Sequence, residues 1–179
     1  MRNAGLTVLL LIFIGLSFLG MVDGIYLTYA HYMPGAADFC GIKPNFDCDV
    51  INTSAYSTMD GIINDLFSIK LYFPVPMGLL SALLFFGLFS ASVFVYKDFV
   101  FKFKMIKITP GLVLHLSWLL LLVTMLFGFF LIYVQAEILK MWCLLCIALD
   151  IIIVSTLVTV WAIIRKRRKL RRALQTQAE

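Results

Sequence analysis

The sequence predicts an all-α integral membrane protein, a four-transmembrane-helix bundle with a long extracytoplasmic loop that contains a short helix. Three observations predict it. The 179 residues are 62% hydrophobic, with a mean hydropathy of +0.98. Only 14% are charged, where a soluble domain carries about 25%. Four apolar stretches each reach the roughly 20 residues that a helix needs to cross about 30 Å of hydrocarbon. The length suits one domain, read as a transmembrane domain over 1–164 and a basic cytoplasmic tail over 165–179.

The first span is read over 5–30. Arg2 before an apolar run gives it the outline of a signal peptide. No small-residue cleavage site follows, and the run is too long for the apolar region of a signal, so it is read as a retained helix. The outer loop, about 31–74, is too long to be a plain connector. Asn52 or Thr53 is expected to cap a short helix there. Tyr56, Met59, Ile62, Ile63 and Leu66 follow at helical spacing, so that helix would lie on the membrane surface or over the bundle. Phe73-Pro-Val-Pro-Met-Gly78 then breaks the chain and starts the second span, where proline suits a first turn. The second, third and fourth spans are read over 75–96, 111–135 and 142–164. No internal repeat is evident.

Charge sets the expected orientation. Of fifteen Lys and Arg, seven lie in 165–172 and four in 97–107. Beside apolar spans such runs are topology signals rather than nucleic-acid contacts. Arg2, the 97–107 connection and the tail are therefore expected on the cytoplasmic side, which puts both termini inside. The loop at 31–74 and the short connection at 136–141 then lie outside. Within that loop Lys43 and Lys70 stand against Asp38, Asp47, Asp49, Asp60 and Asp65.

On this topology all four cysteines, Cys40, Cys48, Cys143 and Cys146, fall at the outer face, the side where disulfides persist. Cys143-Leu-Leu-Cys146 opens the fourth helix, and the i, i+3 spacing puts both sulfurs on one face. Unpaired N–H groups and the partial positive charge of a helix start stabilise a thiolate, the species that attacks disulfides. Cys40 and Cys48 lie in the loop, separated by seven residues that include Gly41 and Pro44 and are expected to be flexible. A mobile pair above a fixed pair points to a relay from soluble thiols to a hydrophobic carrier. Static disulfides are the plain alternative, although a bridge within Cys143-x-x-Cys146 closes a loop too small to staple much. A four-cysteine zinc site is a further alternative.

These residues make the chain resemble the vitamin K epoxide reductase family over nearly its whole length. The likeness rests on Cys40-x7-Cys48, on Asp49 to Tyr56 after it, on Pro74-Val-Pro-Met-Gly78, and on Trp142-Cys-Leu-Leu-Cys146, with Tyr26-Leu27 in the first span. The disulfide-forming oxidase DsbB has similar chemistry, but its CxxC comes in the first outer loop. The resemblance implies a bundle around a quinone of the ubiquinone, menaquinone or vitamin K type. It implies that Cys40 exchanges with the external thiol, that Cys48 shuttles through a mixed disulfide with Cys143, and that Cys146 passes electrons to the quinone. Ser54 matches a serine expected beside the cysteines and the quinone, and Asn52, Phe73 and Pro74 are expected to line the pocket. The implied function is disulfide formation. Reduction of vitamin K or its epoxide is the alternative, and Asp150 argues against it by standing where animal members have tyrosine. A fused thioredoxin-like domain, common in bacterial and archaeal members, does not follow the fourth span, so a separate thioredoxin-like partner is implied.

Three further polar residues draw notice. Asp23 and Asp150 fall within spans, where carboxylates are expensive and usually functional. His31 is read as an interfacial residue at the outer end of the first span. The sixteen Phe residues are read as lipid-facing or packing groups.

Overall fold

The computed structural model describes residues 4–33, 35–40, 45–68, 72, 74–97, 101–103 and 106–176. It is an all-α membrane bundle. Its four long apolar helices are α1 (Ala4–Tyr32), α4 (Met77–Tyr96), α5 (Pro110–Tyr133) and α6 (Leu144–Thr176). Between α1 and α4 lie two short helices, α2 (Cys48–Asn52) and α3 (Met59–Phe67), with 3-10 turns at Asp38–Cys40 and Ala55–Ser57. Between α4 and α5 is a small antiparallel hairpin, β1 (Phe101–Phe103) with β2 (Ile106–Ile108), which hydropathy does not announce. One turn of π-helix, Val134–Leu139, ends α5.

Local chemistry fixes the ends. Pro110 opens α5 and the Thr109 hydroxyl caps it, accepting from Leu112 N–H at 3.3 Å. Lys140, in the left-handed conformation with φ 52°, turns the chain from the π-turn toward α6. The fourth helix does not stop at Ile164, because the Arg-, Lys- and Leu-rich run after it favours helix and contains no Gly or Pro. The loop helix expected to begin at Asn52 or Thr53 begins instead at Met59, with Thr58 preceding it.

Helix α1 packs most extensively on α4, and then on α6. Small residues allow the α1–α4 approach, as is usual between helices in lipid. A Cβ on Gly24 would stand 2.6 Å from Ala82 N, and one on Gly78 would stand 2.6 Å from Thr28 N. Buried Ser17 and Ser92 satisfy their hydroxyls on Phe13 O and Phe89 O within their own helices. The outward faces carry residues such as Leu19, Phe86, Leu126 and Val158, which a soluble domain would bury. Because the clash at Gly78 is with backbone, Gly78→Val is expected to destabilise the bundle by about 2 kcal/mol or more. Thermal unfolding in detergent measures it, and a midpoint equal to the native one would refute this account of the seam.

The bundle has two chemically different ends. At one, Arg167 Nη2 donates to Val95 O at 3.4 Å and Arg168 Nη2 donates to His115 Nε2 at 2.9 Å. The Arg165 guanidinium lies 3.5 Å over the Trp161 ring. At the other end Leu27, Ala30, Ala37, Ile51 and three cysteines form a buried cluster, and the functional site is built around it.

Candidate functional site

Cys143 is the residue before α6. Its carbonyl accepts Ile147 N–H at 3.0 Å, and its sulfur accepts Cys146 N–H at 3.1 Å. The sulfur thus occupies the place of a capping oxygen, held by an N–H that helical pairing leaves free. In the reduced protein the same N–H stabilises a thiolate there. Cys143 and Cys146 are disulfide-bonded, with Cα atoms 5.2 Å apart.

Cys40 and Cys48 form a second disulfide, with Cα atoms 5.6 Å apart. Cys48 opens α2, capped by Asp47, whose carboxylate accepts from Asp49 N–H at 2.9 Å and Val50 N–H at 3.1 Å. The Asp49 carboxylate in turn accepts from Gly35 N–H, tying α2 back to the turn after α1.

The two disulfides are brought together by backbone. Asp47 N–H donates to Trp142 O at 3.1 Å, and Trp142 N–H donates to Asn45 O at 2.9 Å. Each strapped segment runs directly into a cysteine, Asp47 into Cys48 and Trp142 into Cys143. Cys40, Cys48 and Cys143 are then packed in one cluster, each 1% exposed or less. The linker expected to be flexible is therefore tethered at its Asn45–Asp47 end. Its residues 41–44 lie outside the described residues.

Beneath this cluster lies a cavity of about 400 Å³. Its floor and walls come from α4, α5 and α6, including Leu84, Phe85, Phe127 and Ile153, and α2, α3 and the turn between them cover it. Helices α4 and α5 touch less than the other long-helix pairs named above, which leaves the room. Cys146 lies on the wall, one helical turn before Asp150, which also lines the cavity. Gly128 makes space for that carboxyl, since a Cβ there would come within 2.6 Å of Asp150 Oδ1.

The other sequence candidates divide. Ser54 and Asn52 line the cavity. Ser54 Oγ donates to Ile51 O at 2.7 Å, and Asn52 Nδ2 donates to Leu27 O at 2.9 Å. Pro74 is exposed and is not among the lining residues; the chain reaches the cavity only three residues later, at Met77 and Gly78. Phe73 lies outside the described residues. His31 is a tether rather than a lining group, with Nδ1 2.6 Å from Asn52 O and 3.3 Å from Ser57 Oγ. Asp23 stays within α1, where its buried Oδ2 has no partner among the described residues. Sequence reasoning missed Gln135, which is 4% exposed, lines the cavity, and accepts Cys143 N–H on Oε1 at 3.1 Å. Its signal was a lone amide at the end of a span, which reads as an ordinary interfacial residue.

Four membrane-crossing helices, two adjoining disulfides and a cavity reached by one of them define a membrane redox protein. The Vitamin K epoxide reductase family profile matches residues 11–161. The chain belongs to that family and is an oxidoreductase of the membrane. No curated protein matches the sequence.

Proposed function

We propose that the chain is a quinone-dependent thiol–disulfide oxidoreductase that makes disulfide bonds in proteins on the extracytoplasmic side. The observation that carries this reading is the strap. It sets Cys48 beside Cys143 in one buried cluster, while Cys146 alone of the four cysteines opens onto the apolar cavity. The cysteine end faces outward in this reading, because the opposite end holds the basic helix extension.

A thiolate of a thioredoxin-like partner attacks Cys40 and frees Cys48. Cys48 attacks Cys143 and frees Cys146. The partner's second thiol attacks the mixed disulfide and leaves with the new bond, releasing Cys40, which then resolves the Cys48–Cys143 bridge and leaves Cys143 and Cys146 reduced. Two electrons and two protons have entered, and one disulfide has left on the partner. A quinone fits the cavity by its apolar walls and its few polar groups, and it supplies a two-electron, two-proton acceptor soluble in lipid. Asn52, Ser54, Gln135 and Cys146 are the residues that would surround it. Every 30 mV by which the acceptor is the stronger oxidant favours this direction by about 1.4 kcal/mol.

The test uses the purified protein in detergent, a reduced thioredoxin-like donor and short-chain ubiquinone or menaquinone. One quinol per disulfide formed is the expected stoichiometry. No turnover with either quinone, with all four cysteines paired and inert, would leave only a disulfide-stapled membrane protein.

A further inference from the structure

The cavity's polar lining has an uneven account of hydrogen-bond donors. The serine and threonine hydroxyls of the lining each donate to a backbone carbonyl. Ser54 Oγ donates to Ile51 O, Ser57 Oγ to Ser54 O at 2.7 Å, Ser81 Oγ to Gly78 O at 2.8 Å and Thr124 Oγ1 to Leu120 O at 2.9 Å. Asn52 gives one of its two amide hydrogens to Leu27 O. The Asp150 carboxyl donates only when protonated.

Gln135 differs from all of these. Its oxygen is fixed by Cys143 N–H, so the identity of the other amide atom is set as nitrogen. That Nε2 has no hydrogen-bond partner among the described residues, although the side chain is 4% exposed and belongs to the cavity wall. An amide nitrogen that keeps its hydrogens free on the wall of a largely apolar cavity is a ready donor to a ligand atom placed there. The π-turn Val134–Leu139 is what brings Gln135 there. Its widened turn ends in Lys140, and Met141 N–H closes back on Gln135 O at 3.1 Å. Such π-turns recur at functional sites.

We propose that Gln135 is the hydrogen-bond donor that seats a carbonyl oxygen of the quinone beside Cys146, while its own oxygen positions Cys143. One side chain would then set the acceptor and the cysteine pair in register. This inference rests on the reading that the cavity takes a quinone. It predicts that a ligand with an acceptor oxygen on the ring is held in preference to a hydrocarbon of the same size.

The test is equilibrium binding of 2-methyl-1,4-naphthoquinone to the full-length protein, with the infrared band of its 13C-labelled carbonyls as a second readout. In the native protein one carbonyl band is expected to be downshifted from its position in detergent. Gln135→Met is expected to weaken binding about tenfold, the worth of one hydrogen bond, and to abolish that downshift. Losing only the tether to Cys143 would alter the disulfide's reduction potential and leave the band in place. A band that stays put in Gln135→Met but moves in Asp150→Leu or Asn52→Leu overturns the assignment. Should Gln135→Met not fold, 15N-glutamine labelling of the native protein replaces it. The chain has three glutamines, and Gln175 and Gln177 lie past the last span. One side-chain amide pair must shift on adding the quinone, and no shift overturns the proposal. If the native protein binds no quinone at all, the functional reading falls with it. Binding that is unchanged in the variant removes only Gln135's part.

Discussion

With Cys40 and Cys146 both replaced by serine, Cys48 and Cys143 are expected to join each other in a disulfide on mild oxidation, in nearly every molecule. Each has lost its resting partner, and each is held where the other is the nearest thiol. The backbone pairing of Asn45–Asp47 with Trp142 ends one residue before both cysteines, so neither can drift far from the other without breaking it. Both are buried in one cluster, which keeps outside thiols away. Holding two reacting groups in this way replaces a bimolecular encounter by an effective concentration of as much as about 10⁵ M. The Cys143 sulfur also keeps the Cys146 backbone N–H, since Cys146→Ser does not remove it. Peptide mapping of the oxidised variant by mass spectrometry gives the answer directly. A Cys48–Cys143 peptide as the dominant product supports transfer from the loop to the helix. Two free thiols, or bridges between molecules, would mean that the strap does not place the pairs for exchange, and the relay would have no structural basis.

The spans and the cysteine constellation were legible in the sequence for a simple reason. Lipid demands about twenty apolar residues in a row, and no other arrangement of this chain satisfies that demand. The 142–164 reading gave a span and not the whole helix, because hydropathy reports where lipid stops and not where the helix stops; the helix continues through Arg165 to Arg172. Helix α2 was missed because five residues hold too little periodicity to read. Its capping signal, Asp47 ahead of Asp49 and Val50, is present once one looks for it. The strap was illegible in principle, since main-chain pairing between Asn45–Asp47 and Trp142 leaves no side-chain code. Gln135 was hidden for a related reason. A glutamine near the end of a span reads as the edge of the membrane, and only the π-turn folds it back beneath Cys143. The small residues of the α1–α4 seam were ordinary letters in an apolar run until the partner helix was known. Pro74 was carried by the motif around it, and the motif's contribution to the cavity turned out to be its end, Met77 and Gly78.

Single substitutions in the two pairs should fail in different ways, and the difference depends on burial. Cys146→Ser is expected to bring quinone reduction to background with every donor, because no other cysteine lines the cavity. Cys48→Ser is expected to lower turnover with a protein donor by about 10³-fold or more, the scale at which positioned groups outpace chance encounter. The Cys143 sulfur that a protein thiolate would have to reach instead belongs to a residue with no exposed surface. A small dithiol such as dithiothreitol faces a lesser barrier. Cys146 is only partly buried and borders a cavity large enough to admit such a molecule. With that donor, Cys48→Ser should keep a measurable share of native turnover while Cys146→Ser keeps none. Initial rates of quinol formation for both variants with both donors make a four-way comparison. If Cys48→Ser loses the protein donor and retains the small one, the loop pair is the port for proteins and the helix pair is the port for lipid-borne acceptors. If Cys48→Ser loses both donors equally, the loop disulfide acts by holding the site together rather than by carrying electrons. If Cys146→Ser still turns over, electrons leave by a route other than the cavity, and the assignment of the acceptor's seat to this cavity is wrong.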